Sequence, residues 1–219
     1  MIEERKLSAL HVGMYVVIFF AVWSVKELII EPLWLNRLDS VTWQISETLI
    51  KLSVWAVPAV LLIKRFRDDM RVSLKEMFTN KPRLFKTAPI LLLVFFPLIN
   101  ALFIHGEIAI RPNFQPAGIA WLVFGSAIEE IVFRGFLLNT MLKRIKTWQA
   151  VMIDAVLFAL IHYPIWIYSG LDFLAILSNS VMILPVSVLF AFSFIKTKNI
   201  LVPMAIHILW NLLGTLFVA

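Results

Sequence analysis

The sequence predicts an all-α, polytopic transmembrane helical bundle of about seven spans. Of its 219 residues, 61% are hydrophobic and 16% charged, and the mean hydropathy is +0.88. Soluble domains sit nearer about 45–50% apolar and about 25% charged. The apolar residues gather in long runs, each close to the roughly 20 residues that a helix needs to cross a bilayer. Basic residues fall between these runs in a count that alternates from loop to loop. With 7 glycines, 3 tyrosines and no period-two alternation, the composition argues against a β-barrel.

The spans are expected at 8–30, 41–63, 87–104, 117–142, 148–163, 171–195 and 200–218. The first has no small-residue cleavage site and is too long for a signal-peptide core, so it is expected to be retained. The fifth is short for a full crossing and needs its flanks or a small tilt. Counted from the N-terminal segment through the six loops, Lys and Arg number 2, 1, 8, 1, 3, 0 and 2; Lys26, Lys51 and Arg134 lie within spans. High counts on alternate loops predict a cytoplasmic N-terminus and, with an odd number of spans, a C-terminus outside. The second loop contains an amphipathic segment, 72–78, suited to a short helix in the interface. No repeat or linker divides the chain, which is expected to be a single membrane domain, 1–219.

The net charge of +6 and isoelectric point of about 9.7 sit in these loops. Membrane orientation therefore explains them better than nucleic-acid binding, which is not expected. The absence of cysteine excludes disulfides and thiolate metal sites.

Several polar residues interrupt the apolar runs. An ionised side chain at mid-bilayer costs about 2.5–3.5 kcal/mol, so such residues usually face the bundle interior and work there. The fourth span carries Glu129, Glu130 and Arg134 near its centre. At about 100° per residue, Glu130 and Arg134 share a face in the favourable Glu-before-Arg order, which predicts a fixed ion pair. Glu129 points away from that face and is the carboxylate expected to remain for chemistry; an interhelical salt bridge is the alternative. In the fifth span Phe158 and His162 share a face, and His162 is either an interfacial histidine or a working one. Asp154, on the same stripe, is expected to make a structural hydrogen bond. In the seventh span His207 and Asn211 stack four apart, as donors to a developing oxyanion or as hydrogen-bonding glue between helices.

Taken together, these three stretches resemble the CPBP family, which includes CAAX prenyl endopeptidases and bacterial Abi-type or bacteriocin-processing membrane proteases. A double glutamate and an arginine separated by three residues appear as Glu129, Glu130 and Arg134. Phe-x-x-x-His appears as Phe158 to His162, and His-x-x-x-Asn as His207 to Asn211, with Pro203 upstream. The similarity runs from about Trp121 to Leu213, within a family-like core at 117–218.

The resemblance implies an intramembrane endopeptidase of the bacterial plasma membrane acting on a membrane-associated peptide or protein. Glu129 and His162 would hold and activate the attacking water, and His207 and Asn211 would stabilise the oxyanion. Glu130, Arg134 and Phe158 would shape the site. On this reading no cofactor is required. If zinc or another divalent metal takes part, Glu129, His162 and His207 supply three ligands. Two other functions compete: a catalytically silent membrane scaffold or regulator of the same family, and a small transporter using the buried acids as a proton relay. No paired inverted segments of the transporter kind are apparent.

Overall fold

The computed structural model describes residues 6–82 and 118–217, together with positions 95, 98–99, 102–103, 109–110 and 116. The span expected at 87–104 therefore lies outside the described residues, apart from those isolated positions. Among the described residues the chain is helical and no strand forms.

We number the helices in chain order. α1 is Ala9–Arg37 and α2 is Ser40–Arg65. α3 is Leu74–Thr79, and α4 occupies 118–141 as Gly118–Glu130, Ile131–Leu138 and Asn139–Met141. α5 is Thr147–Tyr168, α6 is Phe173–Thr197 and α7 is Leu201–Leu216. Of these, α1, α2, α5 and α6 are long and apolar enough to cross a membrane, and α7 is a shorter apolar helix. α4 is long enough too, but three charged residues occupy its middle. Large apolar side chains face outward, among them Val17, Phe173 and Val181 at 69%, 76% and 61% exposure. In water such a surface would be untenable; against lipid it costs nothing.

The helix starts are set by short polar side chains. Asp39 accepts from the backbone N–H groups of Val41 and Thr42, and Asp172 from that of Ala175. Ser73 and Glu76 form a reciprocal capping box at the start of α3. The Ser73 backbone N–H holds the Glu76 carboxyl below its ordinary pKa. The interface segment expected at 72–78 is thus a helix, shifted by one or two residues.

Three stretches widen to π-helix: Lys26–Ile30, Leu52–Ala56 and Ile131–Leu138. The first two run directly into Pro32 and Pro58. A proline ring lacks an N–H and crowds the carbonyl four residues earlier, so the turn before it opens. Each of the three stretches contains or adjoins a buried charge: Lys26 and Glu27, Lys51, and Glu130 with Arg134.

One end of the bundle gathers the basic loops. Arg144 donates to Asp69 (2.9 Å) and to the Leu7 carbonyl (2.7 Å). The Ile200 N–H donates to the Met77 carbonyl (2.8 Å), and Asn80 donates to that of Lys198 (3.0 Å). The N-terminal segment and the second, fourth and sixth loops therefore share an end, as the alternating charge count requires. At the opposite end Asn36 hydrogen-bonds Tyr168, and Trp43 lies against Trp121, ring centroids 5.6 Å apart.

Asn139 ties the basic end to α4. Its carboxamide accepts from Val72 N–H (2.8 Å) and donates to the carbonyls of Val72 (2.8 Å) and Gly135 (3.1 Å). Asn139→Ala leaves these buried groups without partners and is expected to cost about 1–3 kcal/mol. Thermal unfolding in detergent should show a lower midpoint; an unchanged midpoint would mean that the loop is held by something else.

Candidate active site

Arg134 organises the interior. Its guanidinium, fully buried, donates from Nη1 to Glu130 Oε1 at 3.0 Å. Nη2 donates to Ser187 on α6, at 2.9 Å to the carbonyl and 2.5 Å to Oγ. Nε lies 3.4 Å from Asp154 Oδ2 on α5. The ring faces of Phe158 and Phe190 cover the cation at 4.5 and 5.3 Å, adding cation–π attraction in a desolvated place. One side chain of α4 thus bolts α5 and α6 to it, and the expected Glu130–Arg134 pair is present. Asp154 completes it by an ion pair with the arginine.

His207 reaches the same centre from α7. Its Nδ1 lies 2.8 Å from Glu130 Oε1; a carboxylate only accepts, so Nδ1–H donates. Nε2 then faces Glu129 Oε2 at 3.8 Å. Phe190 stacks on the ring at 4.6 Å between centroids, and Phe158 meets it edge-on at 5.6 Å. Asn211, one turn further along α7, donates from Nδ2 to Ser126 Oγ at 3.0 Å, one turn before the glutamate pair.

His162 sits where α5 turns. Its Nδ1 lies 2.8 Å from the Phe158 carbonyl. A carbonyl oxygen can only accept, which places the proton on Nδ1 and leaves Nε2 as the free acceptor of the neutral ring. Phe158 and Trp166 flank the imidazole at 5.2 and 5.6 Å between centroids, so its orientation is held from three sides.

Glu129 makes the interhelical salt bridge that is the alternative to a carboxylate left for chemistry. Lys51 of α2 donates to Oε1 at 2.9 Å, both side chains being largely buried. That lysine is in turn surrounded by Trp23, Trp55 and Trp121, at 5.4, 5.1 and 4.7 Å from its ammonium. This pairing has a simple cause. Arg134 is turned away from Glu129, but a lysine 78 residues earlier arrives from another helix. Lys51 was visible as a charge inside an apolar run, which is the signal for a buried working residue; its partner was not. Ser187 carried no signal, because a serine in an apolar helix is commonplace.

A cavity of about 200 Å³ opens beside Glu129 and His162. Its walls also include Lys26, Glu27, Glu47 and Lys51. His207 and Asn211 are not among its lining residues; they approach Glu129 and α4 from α7.

Residues 111–213 match the family model of the type II CAAX prenyl endopeptidase, Rce1-like. They form an Rce1-like domain. That is consistent with the CPBP family; membership at that level supports an intramembrane endopeptidase, and the apolar helices support an integral membrane protein. No curated protein and no solved structure matches the chain.

The Rce1-like domain contains Glu129, Glu130, Arg134, Phe158, His162, His207 and Asn211. Lys51 and the acidic residues of α1 and α2 lie outside it, so more than half of the cavity's lining residues come from the preceding helices. The domain's three candidate metal ligands can be tested on geometry. Among the described residues no group of three His, Asp or Glu side chains converges as a metal site would demand. The Lys51 ammonium, moreover, occupies Glu129 Oε1. Glu129, His162 and His207 do not fit a divalent ion as placed.

Proposed function

We propose that the protein is an intramembrane endopeptidase that hydrolyses a peptide bond of a membrane-associated peptide or protein. What supports this reading is that Glu129 and His162 line one cavity, while His207 Nε2 lies 3.8 Å from Glu129 Oε2 and Asn211 reaches Ser126 one turn earlier on α4. Lys51 occupies Oε1 of Glu129, which leaves Oε2 as the basic oxygen. Water held between Oε2 and the free Nε2 of His162 gives a proton to Glu129 as its oxygen bonds to the carbonyl carbon. The carbonyl oxygen takes up the negative charge and accepts from Asn211 and, in its imidazolium form, from His207 Nε2–H. Glu129 then passes the proton to the amide nitrogen as the C–N bond breaks, yielding an acid and an amine.

The cavity extends towards the end of the bundle away from the basic loops, since its lining residues Trp43 and Trp121 stand in the first turns of α2 and α4. With the basic end cytoplasmic, substrate enters from the non-cytoplasmic half of the membrane.

His162→Ala is expected to lower cleavage by about 10²–10⁴-fold, and Asn211→Ala by about 10²–10³-fold, with the protein still inserted. Membrane-peptide profiles of cells carrying wild-type or His162→Ala protein test this: an uncut precursor should accumulate with the variant. Identical profiles, together with wild-type turnover by the purified variant in liposomes, would sink the mechanism. A phenotype that survives both substitutions but is lost with loop substitutions would instead indicate a scaffold.

A further inference from the structure

The cavity beside Glu129 has a second polar wall that the proposed chemistry does not use. There α1 and α2 bring Glu27, Glu31 and Glu47 together around Lys26, and each of the four is no more than 3% exposed. The ammonium of Lys26 lies 3.2 Å from Glu27 Oε1 and 3.0 Å from Glu31 Oε2, and it also contacts Glu47. One ammonium cannot balance three carboxylates. Lys51, the other cation among the described lining residues, is engaged by Glu129 at 2.9 Å.

Burying an acidic excess of this kind in an apolar medium is costly unless it takes up protons or a cation joins it. Two further features show where that cation would sit. Among the described residues Glu27 Oε2 is buried with no hydrogen-bond partner, and Glu27 and Glu47 both line the cavity. Trp23, Trp43, Trp55 and Trp121 line it as well, offering ring faces that attract a desolvated cation. Trp43 further fixes the cluster by donating to Glu31 Oε1 at 2.7 Å.

We propose that this wall is a subsite for a basic side chain, lysine or arginine, of the bound peptide. Calling that peptide a substrate rests on the endopeptidase reading; the subsite itself does not. The cationic head meets Glu27 Oε2 and Glu47, its aliphatic stem lies along the tryptophans, and the adjoining backbone is carried past Glu129 and His162. The α1–α2 pair, outside the Rce1-like domain, thereby sets what the domain receives.

The test uses the full-length protein in liposomes and hydrophobic helical peptides carrying one lysine, or norleucine in its place, walked through successive positions. Binding is followed by quenching of tryptophan fluorescence with a dinitrophenyl label on the peptide, using Asn211→Ala protein to slow turnover. At one position or more, the lysine peptide should bind about tenfold tighter than its norleucine counterpart, a difference of about 1.4 kcal/mol. Glu27→Gln or Glu47→Gln should reduce that preference to about twofold or less. Equal binding of lysine and norleucine peptides at every position overturns the subsite, and it does so without relying on any carboxylate variant that fails to fold. Cleavage by wild-type protein is read separately. Peptides cut without preference for lysine leave the endopeptidase standing and the subsite refuted. Selective binding without cutting refutes the endopeptidase and leaves the subsite.

Discussion

Glu129→Gln is expected to lower the rate of peptide cleavage by about 10²–10⁴-fold, with little change in membrane insertion. The amide keeps the size of the carboxylate and can still accept from Lys51, so the α2–α4 contact at 2.9 Å is preserved in shape. What it loses is a basic oxygen to take the proton from water. Single-turnover cleavage in liposomes, followed by mass spectrometry, measures the loss. Wild-type turnover by the variant would mean that another group is the base. Glu130→Gln should behave differently. Glu130 Oε1 accepts from both Arg134 and His207, so its replacement weakens the packing of α4 and α7 along with the activity.

Arg134→Met is expected to destabilise the bundle by about 3–5 kcal/mol, the usual cost of removing one partner from a buried ion pair. The reason is what remains. Glu130 and Asp154 are both fully buried; without the guanidinium Glu130 keeps only His207, and Asp154 keeps no charged partner among the described residues. The Ser187 carbonyl and hydroxyl lose their donor too. Thermal unfolding in detergent should show the drop, and the yield of inserted protein should fall with it. Arg134→Lys should recover only part, because a single ammonium cannot copy three separately directed nitrogens. Adding Glu130→Gln and Asp154→Asn to Arg134→Met should restore stability, since the stranded charges go with the arginine. A midpoint equal to wild type in Arg134→Met alone would show that the buried network carries no net stability.

These two residues also mark how far the sequence can be read. Arg134 and Glu130 are four apart on one helix, and local geometry alone pairs them. Helix spans were legible for the same reason: each satisfies its own backbone hydrogen bonds within the segment, so apolar length is enough to find it. The limits of α1 were less legible. Apolarity suggests an end near residue 30, yet the helix runs to Arg37. Glu31 looks like a helix exit in the sequence, but it is buried against Lys26 and Trp43.

The sequence by itself determined the class of the protein, the approximate positions of the long helices among the described residues, the alternation of basic loops and the polar residues that must face inward. Each of these follows from local composition or from spacing within one helix. Only the tertiary structure decided which charge meets which across helices. Lys51 and Glu129 are 78 residues apart, and Lys26 draws Glu47 from the next helix. Arg134 finds Ser187 on a helix 53 residues on. Such partners depend on how helices rotate and widen against one another, and no periodicity within a single segment records that.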